Sequence, residues 1–197
     1  MGHTWHLSEK EDKKAFACLY EQYFDQLFNY AIRFCADREQ VKEYIQEMFI
    51  KLWRNRHNLN KATNIEHYLM GALRNVILKK QSYKTRFVFE ELEEESYDFE
   101  MAYPAEHRII QTEQQKLLHQ HFKKAFTKLT PRQKEIIYLR YLKGMNYEEL
   151  AAIMNISVKA AYKLIARSLE TLRENLQGFP VNKFFIGLLL LTLIGTL

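Results

Sequence analysis

The stretch Thr130–Arg173, TPRQKEIIYLRYLKGMNYEELAAIMNISVKAAYKLIARSLETLR, decides the fold. Thr130-Pro131 followed by Gln133 reads as a helix start. The hydroxyl caps, Gln133 returns a bond to the cap backbone, and Pro131 gives up only an N–H that has no intrahelical partner. Ile136, Ile137 and Leu139 fill this short helix, and Gly144 ends it. Asn146 and Glu149 form a second capping box, opening a helix with Leu150, Ala151 and Ile153. After a turn at Asn155-Ile156, Ser157 caps a final helix running to about Asn175. Two helices joined by a tight turn, with small Ala151 where they must approach, are expected to form a helix-turn-helix.

In such units the second helix enters the major groove, and its early residues touch base edges. Here they are Ser157, Lys159, Ala160, Tyr162 and Lys163, with Arg167 a turn further on. Lys159 or Lys163 can donate to guanine O6/N7, Ala160 can pack on a thymine methyl, and Ser157 with the helix N-terminus favours a phosphate. The competing reading of each residue alone is a solvated helix face.

Upstream, Ser8 and Glu11 form a capping box ahead of Phe16, Leu19, Tyr20, Tyr23, Leu27, Tyr30, Ala31 and Phe34 at helical spacing. Asp37 caps a second helix with the stripe Val41, Ile45, Met48, Phe49, Leu52 and Trp53. Its other face carries Lys42, Glu43, Gln46, Glu47, Lys51 and Arg54. Asn58 to Asn64 reads as a polar loop, with Asn64 capping a third helix in which Tyr68, Leu69, Ala72, Leu73, Val76 and Ile77 face inward. Arg74, Asn75, Lys79, Lys80, Lys84 and Arg86 fall mainly on the other side or beyond its end. No single helix can bury its own stripe, so a bundle is expected. A further helical period resumes near Ile109 and runs to Leu129.

The 197 residues leave room for one large or two small domains, and 47% apolar residues supply a core. Six Gly and three Pro favour helices with short connections. The net charge of +5 is unevenly spread. Ser8–Val88 holds 15 Lys/Arg against 10 Asp/Glu, Phe89–Glu106 holds eight acids and no base, and Lys123–Lys183 holds 12 bases and five acids. Two basic blocks around an acidic connector suggest two surfaces for a polyanion; ordinary solvated surface is the alternative. The acidic segment has no clear period and contains Pro104, as a linker would.

The expected organisation is therefore all-α, with two small helical domains. These are a first domain at 8–88, the acidic linker at 89–106, a second domain at 107–178, and an apolar tail at 179–197. The tail's uncharged part, Phe184–Leu197, would reach about 21 Å as a helix. That falls short of the roughly 30 Å hydrocarbon core, so folding back, membrane contact and self-association stay open. Cys18 and Cys35 match no metal or redox spacing and are expected as buried free thiols in a reducing cytoplasm. The start of the chain, with His3, Trp5 and His6, lacks the basic and apolar regions of a signal peptide, so a cytoplasmic protein is expected. No paired carboxylates, metal cluster or phosphate loop point to an enzyme, a metal or a cofactor.

In the first domain, Glu43, Gln46 and Glu47 form an acidic-amide edge that suits a basic protein partner, and Lys51 on the same helix is a further candidate at that surface. Asn58, Asn60, Asn64 and His67 can read the edges of unpaired bases, and nearby basic side chains can hold phosphates.

Taken in order, FACLYEQYFDQLFNYAIRF, VKEYIQEMFIKLWRNR and YLMGALRNVILKK, then KLTPRQKEIIYLRYLKGMNYEELAAIMNISVKAAYKLIARSLETLR, resemble regions 2 and 4 of the extracytoplasmic-function (ECF) class of the sigma-70 family. The resemblance implies a promoter-specificity subunit of RNA polymerase. Glu43, Gln46 and Glu47 would grip the clamp helices of core polymerase. The 58–66 loop, Arg74, Asn75, Lys79 and Lys80 would meet the −10 element, and helix 157–167 the −35 element. The linker would thread near the RNA path. Departures are Glu43 for a usual Asp, Lys79 where Asp is common, and Ala160 and Leu164 where polar residues are frequent. The apolar end looks like Bacteroides-type members, which pair with membrane-bound anti-sigma factors of the FecR kind. Trp53 looks like core packing. Two other readings remain: a helix-turn-helix regulator that acts without polymerase, and a membrane-associated interaction protein.

Overall fold

The computed structural model describes residues 9–56, 59, 64–86, 97–100 and 113–176, and every described element is helical. The Ser8 cap, His3, His6, Asn58, Asn60, most of the acidic linker and the tail from 179 lie outside the described residues. The chain divides into two compact units, residues 1–98 with 152–155 and residues 99–151 with 156–197.

In the first unit three helices pack pairwise: α1 (Glu9–Ala31), α2 (Arg38–Arg54) and α3 (Ile65–Arg86). The Asp37 carboxylate accepts from the backbone N–H groups of Glu39 and Gln40, which fixes where α2 begins. Asn64 Oδ1 accepts from the His67 N–H at 3.2 Å and caps α3 in the same way. The buried stripe of α2 is Val41, Tyr44, Ile45, Met48, Phe49 and Leu52. It packs toward α1 and α3, where Leu27, Tyr30, Ala31, Leu69, Leu73 and Ile77 are essentially fully buried. Trp53 is half-buried, its ring edge-on to Phe16 at 5.2 Å. Phe34 lies beyond the end of α1, where the chain turns, and its carbonyl accepts from Gln81 Nε2 at 2.9 Å.

The second unit contains α4 (Glu113–Thr127), α5 (Pro131–Ile137), the first part of α6 (Tyr147–Met154) as far as Ala151, and α7 (Val158–Asn175). Thr130 and Gln133 make both bonds of a capping box at α5. The helix expected to run to Gly144 is α-helical only as far as Ile137. It widens into a π-helical turn over Tyr138–Leu142 before Gly144, whose φ of 69° makes the left-handed turn that glycine takes without strain. Asn146 and Glu149 exchange bonds of 2.8 and 2.9 Å at the start of α6. The α6–α7 turn passes through Asn155 at φ 52°, a conformation Asn tolerates better than most, and closes with an Ile156 N–H to Ala151 carbonyl bond of 3.0 Å. Ser157 Oγ accepts from the Ala160 N–H at 3.1 Å and starts α7. α7 lies on α4 and α5, burying Ala161, Ile165, Ser168 and Leu172.

The four described residues of the acidic segment are not a solvated strap. Tyr97 and Phe99 are buried, while Asp98 and Glu100 are exposed. In the first unit Tyr97 stacks on Phe34 at 5.7 Å. In the second, Phe99 lies 5.8 Å from the Tyr138 ring.

Candidate nucleic-acid and polymerase interfaces

On α7 the local rules leave one face free. Ala161, Ile165, Ser168 and Leu172 recur at three- and four-residue spacing and turn inward. Lys159, Tyr162, Lys163, Ala166 and Arg167 are exposed on the other side, with Ala160 half-buried. The structure thus gathers Lys159, Tyr162, Lys163 and Arg167 on one accessible surface. Ser157 is also exposed, but its oxygen already serves the cap. A face with three cations around an aromatic ring has the charge for phosphates and the donors for purine edges.

Tyr162 does not stand alone. Its ring lies on Tyr147 of α6 with centroids 3.6 Å apart and planes 16° from parallel. Arg140 stands over Tyr147 at 4.8 Å. Tyr162 is evident from the spacing along α7, but this support is not. Helical spacing within one element says nothing about rings that meet between two.

On α2, Glu43, Gln46, Ile50, Lys51 and Arg54 are exposed and Glu47 is half-buried. Residues 43, 46, 47, 50 and 54 share a helix face by their spacing. Ile50, at 55% exposure, is an apolar side chain amid charged and amide groups. It lies off the core stripe and so outside the polar edge expected there, yet an isoleucine in a polar stripe is itself a sequence signal for a contact surface.

Glu47 also links to α3. Its carboxylate takes Lys51 Nζ at 2.6 Å on one oxygen and Lys80 Nζ at 2.9 Å on the other. These bonds hold the carboxyl below its usual range, and the same contact raises Lys80. Residues expected at two different surfaces are therefore in contact.

The third helix corrects two expectations. Arg74 was expected on the outer side of α3 but is 1% exposed. Its Nη2 donates to the Tyr97 hydroxyl at 3.4 Å, with the guanidinium 5.6 Å from that ring. A buried guanidinium needs such partners, and it is not presented to DNA in this conformation. Tyr68 was expected inside but is 37% exposed. It shares an outward face by spacing with exposed Asn75 and Lys79. Asn64 and His67 are adjacent through the α3 cap and a side-chain contact of 3.4 Å. An aromatic ring, amides and cations along one face suit a single strand, whose bases stack on aromatic rings.

Among the described residues no cluster of His, Cys, Asp or Glu could hold a metal ion. Among the same residues no helix is long and apolar enough to cross a membrane. Cys18 and Cys35 are free thiols, but they are not buried as expected: Cys18 is exposed and Cys35 half-buried, because both fall outside the apolar stripe that packs inward.

Residues 19–87 match the family Sigma-70 region 2, and residues 120–172 match Sigma-70, region 4. The chain is 20% identical to the ECF RNA polymerase sigma factor SigX of Bacillus subtilis (strain 168) over 172 residues, 84% of this chain and 85% of that protein. It is 23% identical to the RNA polymerase sigma factor YlaC of the same organism over 164 residues, 80% of this chain and 90% of that protein. Its fold matches the sigma factor RpoE from Bartonella quintana, solved in complex with the anti-sigma factor NepR. The TM-score is 0.60 at 23% identity, covering 85% of this chain and 99% of that one. With region 2 followed by region 4, and relatives aligned over most of their length, the chain belongs to the ECF class of the sigma-70 family of RNA polymerase sigma factors.

Proposed function

We propose that this sigma factor directs promoter-specific initiation through three surfaces. The α2 face of Glu43, Gln46, Glu47, Ile50 and Lys51 takes core polymerase. The α3 face of Asn64, His67, Tyr68, Asn75 and Lys79, together with Asn58 and Asn60, takes the −10 element. Lys80 lies at the join of these two surfaces. The α7 face, with Lys159, Tyr162, Lys163 and Arg167, takes the −35 element. The proposed domain limits are 8–88 for region 2 and 107–178 for region 4.

The observation that carries this reading is the α7 face, where Lys159, Lys163 and Arg167 are exposed around an exposed tyrosine on the second helix of a helix-turn-helix. Sigma factors are non-catalytic, so the bond chemistry belongs to polymerase and this chain supplies position. Each domain offers few phosphate contacts, so duplex binding without polymerase should be weak and steeply salt-dependent. An anti-sigma factor is a further proposed partner, supported by the complex in which the Bartonella quintana relative was solved. A membrane-bound partner of the FecR kind and a membrane role for the tail rest on the sequence resemblance alone.

Run-off transcription with purified core polymerase on genomic fragments, with and without this chain, tests the proposal. Defined start sites that require the chain are expected. Transcription unchanged by the chain, or tight specific duplex binding in the absence of polymerase, would overturn it and favour a regulator acting alone.

A further inference from the structure

We infer that Tyr147 is a positioning residue for promoter reading: with Arg140 it fixes the Tyr162 ring as a rigid apolar edge that recognises the methyl group of one thymine. The inference rests on the reading of α7 as the −35 helix.

Tyr147 is the first residue of α6, and Tyr162 lies in the second turn of α7. The 3.6 Å separation and 16° tilt cover one face of Tyr162 with Tyr147, yet Tyr162 keeps 52% exposure. Two tyrosine faces are both electron-rich, so an unsupported pair prefers to slide or tilt. With Tyr162 against one face of Tyr147, the Arg140 guanidinium, 4.8 Å from the ring centre, stands at the other. A cation there draws on the ring's electron density and offsets the repulsion between the faces. Arg140 is itself held, because its Nη1 donates to the Met145 carbonyl in the loop before α6. The order is thus loop, guanidinium, ring, ring and solvent.

The consequence is pre-organisation. Lys159 and Lys163 carry long, freely rotating stems that lose rotamer entropy when they bind. Tyr162 has two side-chain torsions, and the stack already restrains them. A fixed apolar edge has one natural counterpart in the major groove, the C5 methyl of thymine.

The test uses holoenzyme made from the full chain and core polymerase. Binding sites are recovered from a pool of duplexes randomised across the promoter region. They are then remade with deoxyuridine in place of each upstream thymine in turn. For the wild type, loss of one particular methyl should weaken binding about fourfold, as expected for one buried carbon. Y162A and Y147A should both lose this thymine-over-uracil discrimination, while Y147F, which keeps the ring, should retain it. Y147L, which keeps apolar volume without a ring face, should lose it too and covers the case in which the alanine variant fails to fold. Core binding should match wild type for every variant.

Full discrimination in both Y147A and Y147L would overturn the inference. So would an upstream element in which no thymine methyl matters, although start-site selection on the same templates would leave the sigma reading standing. Failure of the wild type to select any upstream element would remove both.

Discussion

Glu47 of α2 and Lys80 of α3 face each other at 2.9 Å, joining the surface proposed for polymerase to the one proposed for the −10 strand. The contact has a definite pH window. Lys51 and Lys80 hold the Glu47 carboxyl below its ordinary value of 4.5, so its contribution to stability is complete above that value and is lost as pH falls through the depressed one. Lys80 is raised from 10.5, so its share is present below 10.5 and fades as pH rises through the higher value. In K80M the Glu47 titration midpoint should move upward, yet not to the free value, because Lys51 remains. Carboxyl-carbon NMR through an acid titration measures this directly. An unmoved midpoint would mean that the Lys80 contact does not persist in solution.

The cations of α7 should separate by role. K159A and K163A, if they lose a base-edge contact, should relax preference at one position, a change of about 1–3 kcal/mol. R167A, if it loses a phosphate contact, should weaken all promoters alike and reduce the salt slope by about 1. Holoenzyme binding across a salt series on matched and mismatched promoters distinguishes the two patterns. The same base preference and the same slope in all three variants would take α7 out of DNA recognition.

The parts of this fold that were legible in the sequence are those whose causes lie within a few residues. The caps at Asp37, Asn64, Thr130, Asn146 and Ser157 each satisfy backbone groups two or three residues away, so residue type and spacing were enough. Arg74 and Tyr68 were misplaced because they share a helix with a broad apolar stripe. Which margin of such a stripe is covered depends on packing from outside the helix, here a tyrosine 23 positions away. The buried pair Tyr97 and Phe99 did carry a local sign, alternating with Asp98 and Glu100 as extended chain on a surface does. The acidic run around them hid it. The π-helical widening after Ile137 had no such sign, since it changes hydrogen-bond register without changing residue type.

Tyr97 gives a stability prediction for the first unit. It is 6% exposed, stacks on Phe34, and accepts from Arg74 through its hydroxyl. Y97F removes only the hydroxyl partner of a buried cation and should cost about 1–3 kcal/mol. Y97A also removes the ring and should cost about 3–5 kcal/mol, in the range of aromatic truncations in cores. Denaturant unfolding followed by tryptophan fluorescence reports this unit through Trp53. If Y97A unfolded at the wild-type midpoint, the acidic segment would have to be detached in solution, as a solvated strap would be.

Ile50 separates binding from folding. At 55% exposure its side chain adds little to the stability of the first unit, so I50A and I50D should unfold close to wild type. On the proposed polymerase face the same residue is an apolar side chain flanked along the helix by Gln46, Glu47 and Arg54, the arrangement in which one anchor carries much of an interface while its polar surround excludes water. Truncation at such an anchor costs more than about 1 kcal/mol, so I50A should weaken core binding about fivefold or more. I50D adds desolvation of a charge and should weaken it further. E47K should also reduce core binding by reversing charge toward a basic partner, but with a strong salt dependence that I50A lacks. Titration of labelled chain with core polymerase at two ionic strengths measures both effects. Wild-type affinity in I50D would place polymerase on a different face of the protein, and the exposed isoleucine would then be ordinary surface.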